Sequence, residues 1–235
     1  MILLAMASAM FTSCDLDDDD DKVSVRPTAL VTVKPTAESF ILQLDDSTRL
    51  LPANMTKSPF GDKEVRALVN YSLENKKSAL QSVRINWIDS IRTKMAVPSL
   101  GDKDNATYGN DPLEIVDDWV TVAEDGYLTL RVRTRWGYGN TVHYLNLLTG
   151  VNAENPYEVE LRHNANGDVP VIMGDALIAF NLREVLKDAD KDEVRFTLRW
   201  NSFSGARKID FNLKSKPMDT CSSFVAATGF SSSVK

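Results

Sequence analysis

Cysteine is scarce in this chain, with only Cys14 and Cys221 among 235 residues. That is far too few for a disulfide framework. Histidine is equally rare, as His143 and His163 alone, and each reads as a surface or cross-strand residue rather than a base. Neither G-x-S-x-G nor H-E-x-x-H occurs, so the usual marks of a serine hydrolase and a zinc protease are missing. The expectation is a protein that is not an enzyme, with no catalytic residue, no cofactor and no metal. There is no basic excess either. The net charge is −6, and Asp15 with Asp17, Asp18, Asp19, Asp20 and Asp21 accounts for all of it, so the rest of the chain is about neutral. That balance weighs against nucleic acid as a partner. With 43% hydrophobic and 26% charged residues, the chain can bury a core as one large domain or two small ones.

Residues 1–13, MILLAMASAMFTS, carry no charged side chain. They are too few to span a bilayer, which takes about 20 apolar residues, and they fit the apolar part of an export signal. The usual basic start is missing, so the α-amino group supplies the positive charge or the true start lies upstream. The apolar segment ends at Phe11-Thr12-Ser13-Cys14, which resembles a lipobox with Phe11 in place of an aliphatic residue. Cys14 is the expected lipidation site, ahead of a plain secretory signal with an incidental cysteine. Residues 14–22 then form an acidic tether, because a block of like charge stays extended and solvated.

From residue 23 to 97 the pattern is short strands. Val65, Ala67, Val69, Tyr71 and Leu73 alternate with polar residues, as do Val83, Ile85 and Trp87. The phase shifts before Asp89, so a bulge or strand end is expected there. Five strands in this span suit a small OB-like barrel. Residues 98–112 are rich in turn formers and read as a linker. Residues 113–214 hold about seven further strands, the count expected of an antiparallel β-sandwich, and residues 215–235 read as a loose tail. The fold class is therefore all-β: a small OB-like barrel followed by a sandwich.

Residues 118–136, DWVTVAEDGYLTLRVRTRW, form the most explicit element, a hairpin turning at Glu124-Asp125-Gly126. A two-residue loop at Asp125-Gly126 would set Val120 and Val122 on the face of Thr129 and Arg131. A three-residue loop with Gly126 left-handed gathers Val120, Val122, Leu128, Leu130, Val132 and Trp136 on one face instead. A one-residue slip would expose the whole apolar set, so burial selects the three-residue loop.

The other face of that hairpin carries Arg131, Arg133 and Arg135, with Trp136 and Tyr138 beside it. These five residues are the candidate ligand surface, for an anion or a glycan. The plainer reading is a solvated strand face neutralised across the sheet by Glu158 and Glu160. Asp188, Asp190 and Asp192 begin like a calcium loop. Glu193 replaces the required glycine and Arg199 the final Glu, so a solvated loop is expected.

The order of these parts, a lipobox leader, a short β domain ending near RINWIDSIRTK, the element DWVTVAEDGYLTLRVRTRW and a closing DEVRFTLRWNSFSGARKIDFNL, resembles the NigD-like lipoprotein family. The resemblance covers residues 23–213. It implies an N-terminal OB-like domain, a C-terminal β-sandwich, and a role as an immunity protein beside a bacteriocin. The aspartate run is similar to the acidic signal that follows the lipidated cysteine in surface lipoproteins of the Bacteroides group. The expectation is thus a non-catalytic envelope binding protein, anchored by lipid in the outer membrane and exposed at the cell surface. Its partner would be a protein toxin or, alternatively, a glycan or other envelope component.

Overall fold

The computed structural model describes residues 28–75 and 81–215. Cys14, the aspartate run and Cys221 lie outside the described residues. The first five strands are β1 (Thr28–Pro35), β2 (Phe40–Gln43), β3 (Arg49–Pro52), β4 (Val65–Asn75) and β5 (Gln81–Ser90). They close into a barrel in the order β1-β2-β3-β5-β4, a five-stranded Greek-key closure of the OB type. Alternation fills it. Ala29, Val31 and Val33 of β1 point inward, with Ala67, Val69 and Tyr71 of β4 and Val83 and Ile85 of β5. The expected bulge falls at Asn86, because Ile85 pairs with Tyr71 while Trp87 pairs with Asn70. The extra residue turns Trp87 outward, to 43% exposure, where alternation alone had placed it inward.

β1 is buried on both faces. Its second face, Leu30, Thr32 and Lys34, lies against the rest of the chain. Leu30, Ile91 and Ala179 form a small apolar cluster there, joined by Leu68, Val122 and Leu177. The crossing between domains is direct and tight: Ile91 N–H donates to Arg66 O (2.7 Å), and Ala179 N–H to Arg92 O (2.9 Å). Two short strands follow at once, β6 (Thr93–Met95) and β7 (Val97–Pro98), one for each sheet of the sandwich.

Residues 98–112 are consequently not a free spacer. They carry a short 3-10 turn and α1 (Asp104–Tyr108). Asp104 is buried and accepts from Ser99 Oγ (2.6 Å) and Leu100 N (2.7 Å). Asp111 N–H donates to His163 O (2.9 Å). The turn formers in this stretch make a docked loop.

The remaining elements are β8 (Glu114–Ile115), β9 (Val122–Glu124), β10 (Tyr127–Trp136), β11 (Tyr144–Thr149), β12 (Glu158–Asn164), β13 (Ile172–Asn181), α2 (Arg183–Leu186), β14 (Glu193–Ser202) and β15 (Gly205–Lys214). One sheet runs β6-β13-β10-β8 with β9 also on β10, and the other runs β15-β14-β12-β11-β7. Most neighbours are antiparallel, but β12–β14, β11–β7 and β13–β6 are parallel. Leu128, Leu130, Val132, Ile178 and Phe180 of the first sheet meet Leu147, Val159, Leu161, Phe196 and Leu198 of the second in one core.

The β9–β10 hairpin corrects the expected register. Glu124 pairs with Tyr127 and Val122 with Thr129, so the loop is the two-residue Asp125-Gly126, with φ of 50° and 77°. This is the type I′ geometry that an Asp-Gly pair favours. Burial does not distinguish the two registers here. Near the turn both faces of the sheet are covered, one by the sandwich core and the other by the barrel. Thr129 is fully buried, and Val122 packs toward Leu30 and Ile91. The first arm also stops short, because residues 118–121 form a turn with Thr121 N–H donating to Asp118 O.

Polar groups stitch the barrel to that hairpin. Lys34 Nζ reaches Asp125 Oδ1 at 2.6 Å, with side chains 4% and 1% exposed. The fully buried Arg66 donates to Glu124 Oε1 (2.7 Å), Thr32 Oγ1 (2.9 Å) and Thr129 Oγ1 (3.3 Å). Tyr127 OH donates to Glu64 Oε1 (2.8 Å), which Arg183 also contacts.

A candidate binding cavity beside Trp136

At the far end of β10 from the hairpin turn the sandwich leaves a cavity of about 180 Å³. Its walls are largely apolar: Leu113, Val132, Leu145, Ala176 and Ile178, with Trp136, His143 and His163 to one side and Arg92 and Lys94 also lining it. Concave, mostly apolar space with a few placed polar groups is the usual form of a small-ligand site.

The histidine side is built by two turns and one strand pairing. β11 and β12 pair so that Leu145 faces His163, which brings His143 diagonally next to it. His143 Nδ1 lies 3.0 Å from His163 Nε2, and His143 Nε2 lies 3.0 Å from Asp168 Oδ2. Asn166 and Gly167, both left-handed, form the tight turn that delivers Asp168. Gly137 N–H also donates to Asp168 Oδ2 (2.7 Å), and Val169 N–H to Oδ1 (2.9 Å). The Gly137 amide first, and then His143, hold the Asp168 carboxyl below the ordinary carboxylate range. An ionised Asp168 can only accept, so His143 carries its proton on Nε2. With both rings neutral, His163 then carries its own on Nε2. Trp136 stacks on His143 with ring centroids 3.9 Å apart and planes at 20°. The row Trp136–His143–His163 is thus ordered from both ends.

His163 is 3% exposed, and its Nδ1 is buried without a hydrogen-bond partner. Burial, followed by the neighbouring His143, pulls its pKa below the ordinary histidine value, against the opposing pull of Asp111 and the Pro112 carbonyl. A base depressed in the folded state contributes stability that is complete above its unfolded value, near 6.5, and is lost as pH falls below it. Thermal stability should therefore decline between pH 7 and 5, by up to about 1.4 kcal/mol per pH unit for one proton. His163→Gln should flatten that decline. An acid limb identical in the variant would remove His163 as its source.

The residues expected as a ligand surface separate. Arg131 donates to Asp118 (2.5 Å) and Asp175 (2.8 Å), and Arg133 donates to both oxygens of Asp175 (2.6 and 3.0 Å). Arg133 and Arg131 hold the Asp175 carboxyl down to about 2. The expected partners Glu158 and Glu160 belong to the opposite sheet, where they meet Arg199 and Arg162. Arg135 lies over Phe203 (5.2 Å), and Tyr138 is 84% exposed. Trp136 alone joins the cavity. His143 and His163, expected as surface or cross-strand residues, complete it. No group of His, Cys, Asp and Glu that could hold a metal ion occurs among the described residues.

Two family profiles match the chain, "NigD-like N-terminal OB domain" over residues 30–91 and "NigD-like C-terminal beta sandwich domain" over residues 95–213. The chain belongs to the NigD-like family. Among solved structures, a candidate toxin-related protein from Parabacteroides distasonis is similar, with a TM-score of 0.68 at 30% identity over 81% of this chain and 94% of its own. A NigD-like immunity protein from Bacteroides caccae aligns with a TM-score of 0.57 at 19% identity, over 79% of this chain and 92% of its own. A candidate lipoprotein from Bacteroides fragilis aligns with a TM-score of 0.57 at 13% identity, over 83% of this chain and all of its own. The last two share the fold with this NigD-like chain. No curated protein matches it.

Proposed function

We propose that this NigD-like chain is a non-catalytic binding protein of the bacterial envelope, held to the membrane by an acylated Cys14. We place its partner, a protein toxin that it neutralises, at the mouth of the Trp136 cavity. The observation that carries the reading is an apolar collar. Tyr138, Val142, Tyr144, Val169, Val171 and Ile172 are 44–84% exposed on the segments that frame Trp136 and Asp168. Exposed apolar side chains gathered at one place mark an interaction surface. The names of the Parabacteroides distasonis and Bacteroides caccae proteins support the link to toxins and immunity. A glycan partner has less support, since the Arg131 and Arg133 guanidiniums are taken by Asp175 and Trp136 is covered by His143.

Two or more fatty chains hold a protein firmly at a membrane, whereas one holds it only marginally. Cys14→Ser should therefore move the protein to the soluble fraction. Cells lacking the gene should die at a lower dose of a bacteriocin-type peptide toxin made by the same strain. Restoring the chain with Val171→Asp and Ile172→Asp should fail to protect them, with thermal stability unchanged. Equal killing with and without the gene would end the immunity reading, and a Cys14→Ser protein still in the membrane fraction would end the anchor.

A further inference from the structure

The charge at the cavity has one sign. Lys94 Nζ donates to Leu145 O (2.6 Å) and Asn146 Oδ1 (2.7 Å). Both acceptors are neutral, and an ammonium has a third N–H to give. Arg92 also lines the cavity, and its guanidinium is close enough to act on Lys94. Burial first, and then that like charge, lower the lysine's pKa. No carboxylate pairs with either side chain among the described residues. On the same strand face as Val132 lies Thr134, buried at 5%, whose hydroxyl makes no side-chain hydrogen bond among the described residues. Two cations with no carboxylate partner among the described residues therefore sit beside an apolar cavity, Lys94 half-buried and Arg92 at its exposed edge.

We propose that the Trp136 cavity binds a small apolar acid, its hydrocarbon body against Val132, Ala176 and Ile178 and its carboxylate on Arg92 and Lys94. The size suggests the body. An apolar cavity of about 150 Å³ takes up benzene, so about 180 Å³ suits one ring or a short chain. Such a ligand would supply the negative charge that Lys94 and Arg92 lack. It would also remove those apolar walls from water. This inference rests on the cavity being a binding site, but not on the identity of the macromolecular partner at its mouth.

The probes are phenylacetate, its neutral counterpart phenylacetamide, hexanoate, and acetate, titrated by calorimetry into the full chain carrying Cys14→Ser, so that no detergent competes. Binding is located by the indole N–H resonance of Trp136. Phenylacetate should bind saturably at one site, phenylacetamide about tenfold or more weakly, as expected for loss of a charge-assisted hydrogen bond, and acetate not at all. Hexanoate separates the sources of the hydrocarbon: binding as tight as phenylacetate supports a chain as the body, weaker binding a ring. Arg92→Gln should bring phenylacetate down to the affinity of the amide and leave the amide unchanged. Ala176→Leu should close the cavity to both, and Thr134→Val, which keeps its shape, provides a second reading should that variant unfold. Equal binding of acid and amide would overturn the proposal. So would the absence of saturable binding by both phenylacetate and hexanoate, or an Arg92→Gln protein that holds phenylacetate as tightly as before. Toxin protection that fails while phenylacetate still binds would sink the partner reading alone, and the reverse would sink this one alone.

Discussion

Lys34→Met should destabilise the protein by about 3–5 kcal/mol, the cost of removing one partner of a buried ion pair. Asp125 Oδ1 has Lys34 Nζ at 2.6 Å, its other carboxylate oxygen has no partner, and its side chain is 1% exposed. Deleting the ammonium leaves a carboxylate sealed between the barrel and the sandwich without its counter-charge. The methionine stem refills most of the lysine's volume, so packing loss contributes little. The decisive comparison is Lys34→Met combined with Asp125→Asn. Asparagine tolerates the left-handed φ of 50° at this position nearly as well as aspartate does, and it carries no charge. The double variant should regain most of the loss in urea unfolding. A single variant within about 1 kcal/mol of wild type would mean that water already reaches Asp125, and the pair would then rank with exposed ones.

The second large effect is expected at Gly109→Ala. Gly109 has φ of 77°, and a Cβ placed there would lie 2.5 Å from His163 O and 2.6–2.7 Å from Cβ and Cα of Asn164. Strain in the left-handed region costs about 1–3 kcal/mol. Overpacking against backbone that belongs to β12 adds roughly 1–3 kcal/mol more. Gly150 provides the control, with φ of 69° and nothing within 4 Å of its virtual Cβ. Gly150→Ala should show the conformational cost alone. If both variants lose the same stability, the loop does not press on β12 as described. The effect should also reach the cavity, because the strand pushed away carries His163, and the Trp136 ring contact with His143 should report it by nuclear magnetic resonance.

Much of the fold was legible because period-two alternation needs no partner information. Residues 127–136 and 65–73 show it plainly, and the barrel and the sandwich follow from it. What alternation cannot show is a sheet buried on both faces by different means. Thr32, Arg66 and Thr129 look like solvent-facing residues until the two domains meet, when they become partners of one another. Alternation alone therefore points to the wrong hairpin register, although Asp125-Gly126 is a strong two-residue turn signal. Residues 98–112 misled for a related reason: a docked loop and a free linker have the same composition, and only the buried Asp104 tells them apart. The histidine pair had a usable signal. The strands around Leu147 and Leu161 were both visible, and pairing them as a hairpin puts residue 143 near residue 163. Lys94 offered none, since its acceptors lie about fifty residues away.

The covering of Leu30 and Ile91 by Ala179 sets an order in time. A barrel that closes as soon as it has been made shows Arg66 and Lys34 until the hairpin carrying Glu124 and Asp125 follows, and shows that apolar patch until β13 arrives about 90 residues later. At synthesis rates of about 5–20 residues per second, that interval is roughly 4–18 seconds. That is long enough for strands from a second chain to occupy the patch. A chaperone that holds the newly emerged barrel until residue 179 has followed would suppress this mispairing. Aggregation of a truncated chain ending before β13 would be its signature.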